Sequence, residues 1–147
     1  MLHRSPGRAI LPGLWQGVSG SIEPGEAIVD AALREVREET GIDAGRITQL
    51  YSLDLVASFL WQPLDAVLNS VYFALRVAPG VDPTLSDEHD AFEWLSIDDA
   101  IGRSAWPAYR EALGRVRECL LDPDRAPWFE LTLPSEPTMP ARERAVD

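Results

Sequence analysis

Three glutamates are spaced so that their carboxylates share one face of a helix. Glu35, Glu38 and Glu39 stand at positions i, i+3 and i+4, and residues at this spacing are neighbours on a helix surface, where like charges repel. A hard divalent cation such as Mg²⁺ offsets that repulsion, because it prefers carboxylate oxygens and bridges to substrate phosphates. The alternative is a solvated acidic face, with Arg34 and Arg37 as its surface partners. The spacing alone leaves both interpretations open.

The helix that carries these glutamates is predicted over residues 27–40. Four apolar residues form a stripe at helical spacing that should pack on a core; they are Val29, Ala32, Leu33 and Val36. Gly41 follows directly and indicates the end of the helix, because glycine adopts the left-handed conformation without a Cβ clash. Glu39 is the glutamate nearest to the edge of the apolar stripe. We therefore expect its carboxylate beside the buried face.

The stretch from residue 20 to residue 42 resembles the signature of the Nudix hydrolase family. The signature reads Gly, five residues, Glu, seven residues, then Arg-Glu-aliphatic-any-Glu-Glu-any-Gly-aliphatic. Its fixed positions are occupied here by Gly20, Glu26, Arg34, Glu35, Val36, Glu38, Glu39, Gly41 and Ile42. The resemblance implies an enzyme that uses Mg²⁺ or Mn²⁺ to hydrolyse a nucleoside diphosphate linked to another group. It also implies an α/β/α sandwich around a mixed β-sheet.

The resemblance assigns a role to each polar residue of the signature. Glu35 and Glu39 are implied to be the principal metal ligands, with Glu38 as a further ligand. Arg34 is implied to orient a glutamate, either Glu26 or Glu35. Bound metal ions neutralise phosphate oxygens, orient the attacking water and lower its pKa. A carboxylate within hydrogen-bond reach can then accept the proton.

A second acidic position lies in the polar loop before a strand predicted at residues 91–95. The family places Glu-His before such a strand, and Glu88 and His89 match that pair. Glu88 is therefore implied as a metal ligand, and either Glu88 or Glu35 as the base. Glu93, within the strand, is the alternative. We expect His89 to fix the loop by a hydrogen bond.

Four further side chains are candidates for binding the substrate. They are Arg4, Trp15, Tyr72 and Arg76. Arg4 matches an arginine at the end of the family's first strand, and Trp15 offers a ring for stacking on a base. Tyr72 and Arg76 alternate with the predicted core residues of one strand and share its other face. The alternatives are a solvated terminal residue for Arg4, packing for Trp15, and a solvated sheet face for Tyr72 and Arg76.

Residues 15–21 read Trp-Gln-Gly-Val-Ser-Gly-Ser and resemble the family branch that includes dihydroneopterin triphosphate pyrophosphatase. This resemblance implies the backbone carbonyl of Ser19 as an extra metal ligand. The implied substrate is a nucleoside triphosphate or a pterin triphosphate, cleaved with release of pyrophosphate. Dinucleoside polyphosphates and nucleotide sugars stay open, because specificity lies outside the signature. The alternative is a regulatory Nudix domain that binds a nucleotide without turnover. The intact signature argues against it, because a domain that only binds a nucleotide need not keep every glutamate.

The composition is that of an ordinary globular protein. The 147 residues suffice for one domain with a core, and we expect a single Nudix domain over residues 1–133 and a tail over residues 134–147. A net charge of −11 argues against a broad basic surface for a nucleic acid polymer. No apolar run approaches the ~20 residues of a membrane span, and the single cysteine, Cys119, fits a reducing cytoplasm. The expected partner is a small nucleotide or pterin phosphate, and a homodimer is left open.

Two features at the ends of the predicted domain concern the completeness of the sheet. The strand that ends at Arg4 is shorter than the family's first strand. Residues 128–133 read as one more strand, which either packs back onto the domain or fills the gap at the N-terminus. Helices are expected from a Ser or Asp cap near Ser96 and from Pro107 in a first turn.

Overall fold

Six strands and three helices follow one another along residues 1–134, the part of the chain that the computed structural model describes. The tail predicted at residues 134–147 lies, except for its first residue, outside the described residues. The strands are β1 (Leu2–Arg4), β2 (Trp15–Gln16), β3 (Ile47–Trp61), β4 (Ala66–Val77), β5 (His89–Phe92) and β6 (Glu130–Leu131). The helices are α1 (Ile28–Thr40), α2 (Ile97–Arg103) and α3 (Pro107–Arg115), and α3 continues into a π-helical turn at Val116–Leu120.

The strands form two three-stranded sheets with antiparallel pairing. The first has the order β2-β1-β5 and the second has the order β4-β3-β6. The expected α/β class is confirmed, while the strands of residues 1–134 divide into two sheets where one mixed sheet was expected. The first strand is short, as expected, and β6 pairs with Leu50 and Tyr51 of β3. The last strand therefore packs back onto the domain and does not fill the gap beside β1.

Helices cover both faces of the β3–β4 pair, because side chains alternate along each strand. On one face, Leu75 and Val77 pack with Val36 of α1 in one core cluster. On the other face, Tyr72 and Ala74 pack in a second cluster, which is built on Tyr51, Leu53, Leu55, Ala112, Leu120 and Ala126. The two clusters give the sandwich its helix–sheet–helix layers. Only one face of β4 was predicted to be core, and the second core face is a correction.

An irregularity divides the long β3–β4 pair into two parts. The pairing register shifts between Ser52 and Val56, so that β3 holds extra residues there, and Asp54 adopts a left-handed conformation with φ 47°. Arg115 of α3 donates to the Leu53 carbonyl at 2.8 Å and also to the carbonyl of Asp54. Backbone groups that leave the ladder at a bulge need other partners, and this arginine supplies them. Beyond the bulge, residues 56–71 continue as a two-stranded ribbon.

The three helices begin and end close to the predicted positions. α1 ends at Gly41, which has φ 66° and donates its backbone N–H to the Arg37 carbonyl at 2.8 Å. Ser96 caps α2 by accepting a hydrogen bond from the Asp99 backbone, and α3 begins at Pro107 as predicted. The strand predicted at residues 91–95 begins two residues earlier, at His89.

None of the helices within residues 1–134 has the length and apolar character needed to cross a membrane.

Candidate active site

The turn before α1 touches the helix at Gly20. A Cβ built on Gly20 would lie 1.8 Å from Cδ and 2.0 Å from Oε1 of Glu35. Non-bonded atoms cannot approach so closely, so only glycine leaves room for the carboxylate at this place. The backbone N–H of Ser21 donates to Glu35 Oε1 at 3.2 Å. The turn therefore fixes the Glu35 carboxylate from outside its own helix.

Arg34 joins the turn to three glutamates. It donates Nε and Nη2 to both carboxylate oxygens of Glu26, at 2.8 and 3.0 Å. Its Nη1 donates to Glu35 at 2.8 Å and to Glu38 at 3.1 Å, and its Nη2 also reaches the Ser21 carbonyl at 2.8 Å. The hydrogen bonds from Arg34 lower the pKa of Glu26 to about 2. The fork thus contacts both glutamates that were candidates for its partner.

Glu39 is the most deeply placed of the helix glutamates. Its residue is 5% exposed, and its Oε2 has no hydrogen-bond partner among residues 1–134. Burial raises the pKa of Glu39 to about 8. The charges of Glu35 and Glu88 also raise this pKa, whereas a backbone hydrogen bond from Ser19 lowers it. Glu35 and Glu88 are therefore among the charged groups that act on this carboxyl. The predicted position beside the buried face is confirmed.

Glu88 reaches the site from the loop before β5. Arg4 donates Nη1 to its Oε2 at 3.2 Å and donates Nε to the Ile10 carbonyl at 2.7 Å. Arg8 lies 3.8 Å from the other oxygen of Glu88 and forms a closer ion pair with Asp87 at 2.8 Å. Arg4 therefore pairs with Glu88 and holds its loop against β1, and the role of Arg4 in substrate binding stays a prediction.

His89 lies behind the acidic cluster with its side chain fully buried. Neither ring nitrogen has a hydrogen-bond partner within residues 1–134, so the expected loop-fixing hydrogen bond is a wrong prediction. Glu39 Oε2 lies 3.9 Å from Nδ1, which is too far for a hydrogen bond. Burial lowers the pKa of His89, and the ring is therefore neutral beside the glutamate.

The acidic residues suit a hard divalent cation. A buried carboxylate oxygen without a hydrogen-bond partner is costly. Oε2 of Glu39 is such an oxygen within residues 1–134, and carboxylates are the ligands that Mg²⁺ prefers. Within residues 1–134, no three acidic or histidine side chains already converge as a set of metal ligands. The physical reason is that Arg34 holds Glu35 and Arg4 holds Glu88, each turned toward a guanidinium group.

Two of the candidate substrate-binding residues are engaged in packing. Trp15 lies between His3, whose ring centroid is 5.0 Å away, and Arg103, whose guanidinium is 4.7 Å from the indole centroid. Tyr72 packs edge-on against Tyr109 at 5.6 Å between centroids. These packing contacts do not test whether Trp15 and Tyr72 bind substrate, and that role stays a prediction.

Tyr109 borders the turn that precedes α1, although its position in the sequence did not reveal this. A Cβ on Gly17 would lie 3.2 Å from the Tyr109 ring, and burial raises the pKa of Tyr109 to about 12. The periodicity of α3 predicts a core position for this residue, since its spacing fits the apolar stripe. The contact with Gly17, two residues before Ser19, depends on the packing of α3 against this turn.

Arg76 is not brought together with the acidic cluster. Its side chain lines a hollow of about 320 Å³ with Gln49, Tyr51 and Glu130. The glutamates of α1 and Glu88 take no part in that lining. Arg76 therefore lies on the α3 side of the sheet, and its predicted role in substrate binding has no geometric support from the neighbours of the acidic residues.

Comparisons with known proteins agree with the signature. The family model described as NUDIX domain matches residues 1–115. The solved structure of the Escherichia coli dihydroneopterin triphosphate pyrophosphohydrolase superposes with a TM-score of 0.63 at 27% identity, covering 74% of this chain and 79% of that chain. The predicted resemblance to the family, and to this branch of it, is therefore confirmed.

Two curated relatives carry different names. An octanoyltransferase from Myxococcus xanthus is 37% identical over 118 residues, which are 79% of this chain and 31% of that protein. A bis(5′-nucleosyl)-tetraphosphatase (asymmetrical) from Sus scrofa is 36% identical over 88 residues, 58% of each protein. The chain thus spans 31% and 58% of the lengths of these relatives.

Proposed function

The chain belongs to the NUDIX domain family, and we propose that it hydrolyses a nucleoside triphosphate or pterin triphosphate with Mg²⁺, or with Mn²⁺ in its place. The observation that carries this proposal is the buried Oε2 of Glu39, which has no hydrogen-bond partner within residues 1–134 and belongs to the helix that also bears Glu35 and Glu38. Burial and the charges of Glu35 and Glu88 raise the pKa of Glu39 to about 8, so positive charge beside this carboxyl would favour its ionised form. A divalent cation would supply that charge and would also bind the phosphate oxygens of the substrate.

The residues that would hold the ion differ in how firmly they are fixed. Glu35 and Glu39 would be the principal ligands, since the turn at Gly20 positions the first and burial positions the second. Glu38, Glu88 and the Ser19 carbonyl would complete the set. When bound, the ion neutralises phosphate oxygens and lowers the pKa of the attacking water.

The reaction transfers a phosphoryl group to water. The water oxygen forms a bond to phosphorus, the bridging anhydride bond breaks, and pyrophosphate leaves with the electron pair. A carboxylate accepts the water proton, and Glu88 suits this role better than Glu35. Glu35 is bound by both Arg34 and the Ser21 backbone, whereas the Glu88 side chain is 39% exposed and is held by arginine contacts alone. A base must be able to approach the proton that it removes.

Dinucleoside polyphosphates are the second candidate substrate class. The Sus scrofa relative is named as a bis(5′-nucleosyl)-tetraphosphatase, and 58% of this chain aligns with it. Both substrate classes contain the same phosphoanhydride and differ in the leaving group. The name octanoyltransferase belongs to a protein of which this chain matches 31%, and it supports no acyl-transfer proposal here.

A substrate panel with product analysis tests the proposal. The purified chain is incubated with nucleoside triphosphates, dihydroneopterin triphosphate, diadenosine tetraphosphate and a nucleotide sugar, and products are separated by anion exchange. We expect pyrophosphate from a triphosphate, no turnover after treatment with a chelator, and recovery with Mg²⁺ or Mn²⁺. Release of ATP and AMP from diadenosine tetraphosphate as the preferred reaction would favour the second candidate. Nucleotide binding without any product would instead indicate a regulatory domain.

A further inference from the structure

The ribbon formed by residues 56–71 carries an apolar surface that nothing in residues 1–134 covers. On one face, four aliphatic side chains are between 40% and 65% exposed; they are Val56, Leu60, Val67 and Val71. None of the four belongs to either core cluster. A two-stranded ribbon is at best marginally stable in water without a third strand or a helix against it. An uncovered apolar face on such a ribbon therefore indicates a docking surface.

The pairing register places the exposed residues in a symmetrical pattern. Val56 pairs with Val71 near the bulge, Leu60 pairs with Val67 near the tip, and Ser58 pairs with Asn69 midway between them. Partners in an antiparallel ladder share one face, so the face reads apolar, polar, apolar from either end. The opposite face is less open, because Phe59 packs edge-on against Trp61 with centroids 6.5 Å apart.

We propose that this face, defined by Val56, Ser58, Leu60, Val67, Asn69 and Val71, is the contact surface of a symmetric dimer of the chain. A two-fold axis that crosses the strands at the Ser58–Asn69 pair places Val56 of one copy on Leu60 of the other. The same rotation places Val71 on Val67 and each Asn69 opposite its counterpart. An isologous interface requires a surface that is complementary to itself, and the apolar–polar–apolar order meets that requirement.

Hydrogen bonding and charge both favour a second copy over an unrelated partner. The Ser58 hydroxyl lies 2.6 Å from Oδ1 of Asn69, which leaves the two amide N–H donors of Asn69 for the partner's Ser58 and Asn69. Within residues 56–71, Asp65 is the one charged residue, and it stands at the turn. The chain has a net charge of −11, so two copies repel one another over most of their surfaces. The ribbon, with Asp65 as the one charged residue within residues 56–71, adds little to that repulsion.

The size of the face sets the strength of the association. The four aliphatic side chains expose roughly 400 Å² per copy, about half of the ~800 Å² per partner that is typical of stable interfaces. The proposal is therefore a dimer that forms and dissociates with protein concentration, and not a permanent one. It does not rest on the proposed function, since the ribbon shares no residue with the acidic cluster.

Sedimentation velocity over a wide range of protein concentrations tests the proposal with the full chain. We expect the sedimentation coefficient to rise toward that of a dimer, and Leu60→Glu and Val67→Glu each to keep the chain monomeric. Leu121→Glu is the matched control, because Leu121 is 62% exposed and lies outside the ribbon; it should dimerise like the parent chain. Far-UV circular dichroism checks that each variant is folded. Turnover of the preferred substrate should be unchanged in all three variants.

A cross-linking experiment tests the register independently of these substitutions. In a Cys119→Ser background, Asn69→Cys should yield a covalent dimer with a short bis-maleimide, because the two-fold axis brings the two introduced thiols together. Leu121→Cys in the same background should remain monomeric. A parent chain that stays monomeric at every concentration would overturn the proposal. So would loss of the dimer with Phe59→Glu but not with Leu60→Glu, since that result assigns the contact to the opposite face.

Discussion

The acidic segment at residues 20–42 and the ribbon at residues 56–71 differ in the side chains that they present. The first presents carboxylates that are fixed by hydrogen bonds, and the second presents aliphatic side chains that are exposed. In the acidic segment, the single side chain of Arg34 contacts four groups: Glu26, Glu35, Glu38 and the Ser21 carbonyl. In the ribbon, the exposed side chains are aliphatic, and Ser58 with Asn69 forms the one polar pair among residues 56–71. The first region is arranged by contacts within the chain, whereas the second presents a surface that no contact within residues 1–134 covers.

The largest expected effect tests whether the acidic segment is a metal site. Glu39→Gln keeps the shape of the side chain and removes the carboxylate that a cation would bind. We expect turnover to fall roughly 10³-fold, because metal-ion catalysis contributes several kcal/mol to transition-state stabilisation, while the fold stays intact. Isothermal titration with Mn²⁺ should show weaker binding. Unchanged turnover in Glu39→Gln would contradict the metal site and would remove the contrast between the two regions.

The next effect tests whether the turn positions the glutamate. Gly20→Ala introduces a methyl group 1.8 Å from Glu35 Cδ, so the carboxylate must move. A displacement of about 1 Å at a catalytic group can slow a reaction ~10²-fold, and by that reasoning we expect turnover to fall by roughly one to two orders of magnitude. Gly102→Ala is the control, because a Cβ there meets nothing within 4 Å. Equal activity in both variants would show that Glu35 needs no fixed position.

The acidic segment was the part of the fold most open to prediction from sequence. The helix was predicted over residues 27–40 and spans Ile28–Thr40, because apolar periodicity and the glycine at position 41 are both local signals. The depth of Glu39 followed from the same periodicity. These features depend on contacts between residues that are close in sequence, and spacing therefore specifies them.

The features that escaped prediction depend on residues far apart in sequence. Arg115 reaches the carbonyl of Leu53 across 62 positions, and the bulge that it supports separates the ribbon from the core. Tyr109 lies against Gly17 through the packing of α3, and nothing near it in the sequence indicates that contact. The exposure of the ribbon escaped prediction for a related reason. Its β-branched residues indicate a strand equally well whether the face is covered by the same chain or by another.

A smaller effect concerns the stability that Arg34 confers on the acidic segment. The hydrogen bonds from Arg34 lower the pKa of Glu26 to about 2, below the ~4.3 of an unperturbed glutamate. A lowered pKa means that the ionised carboxylate stabilises the fold above pH ~4.3 and that this contribution is lost as the pH falls toward 2. Glu26→Gln should therefore be less stable than the parent chain at pH 7 and nearly equal to it at pH 2. Urea unfolding at several pH values measures the difference.

The smallest expected effect separates a surface made for a partner from a surface made for folding. Leu50 and Leu60 lie on the same strand, but Leu50 is fully buried and Leu60 is 65% exposed. Leu50→Ala should lower the free energy of unfolding by about 2–5 kcal/mol, because it leaves a cavity in the core. Leu60→Ala should change it by less than ~0.5 kcal/mol in dilute solution, as for other surface positions.

At high protein concentration the parent chain should gain stability that Leu60→Ala does not, because a dimer of the folded state shifts the unfolding equilibrium by mass action. Thermal unfolding at two protein concentrations distinguishes these cases, and a melting temperature independent of concentration in both chains would mean that the ribbon serves no second copy.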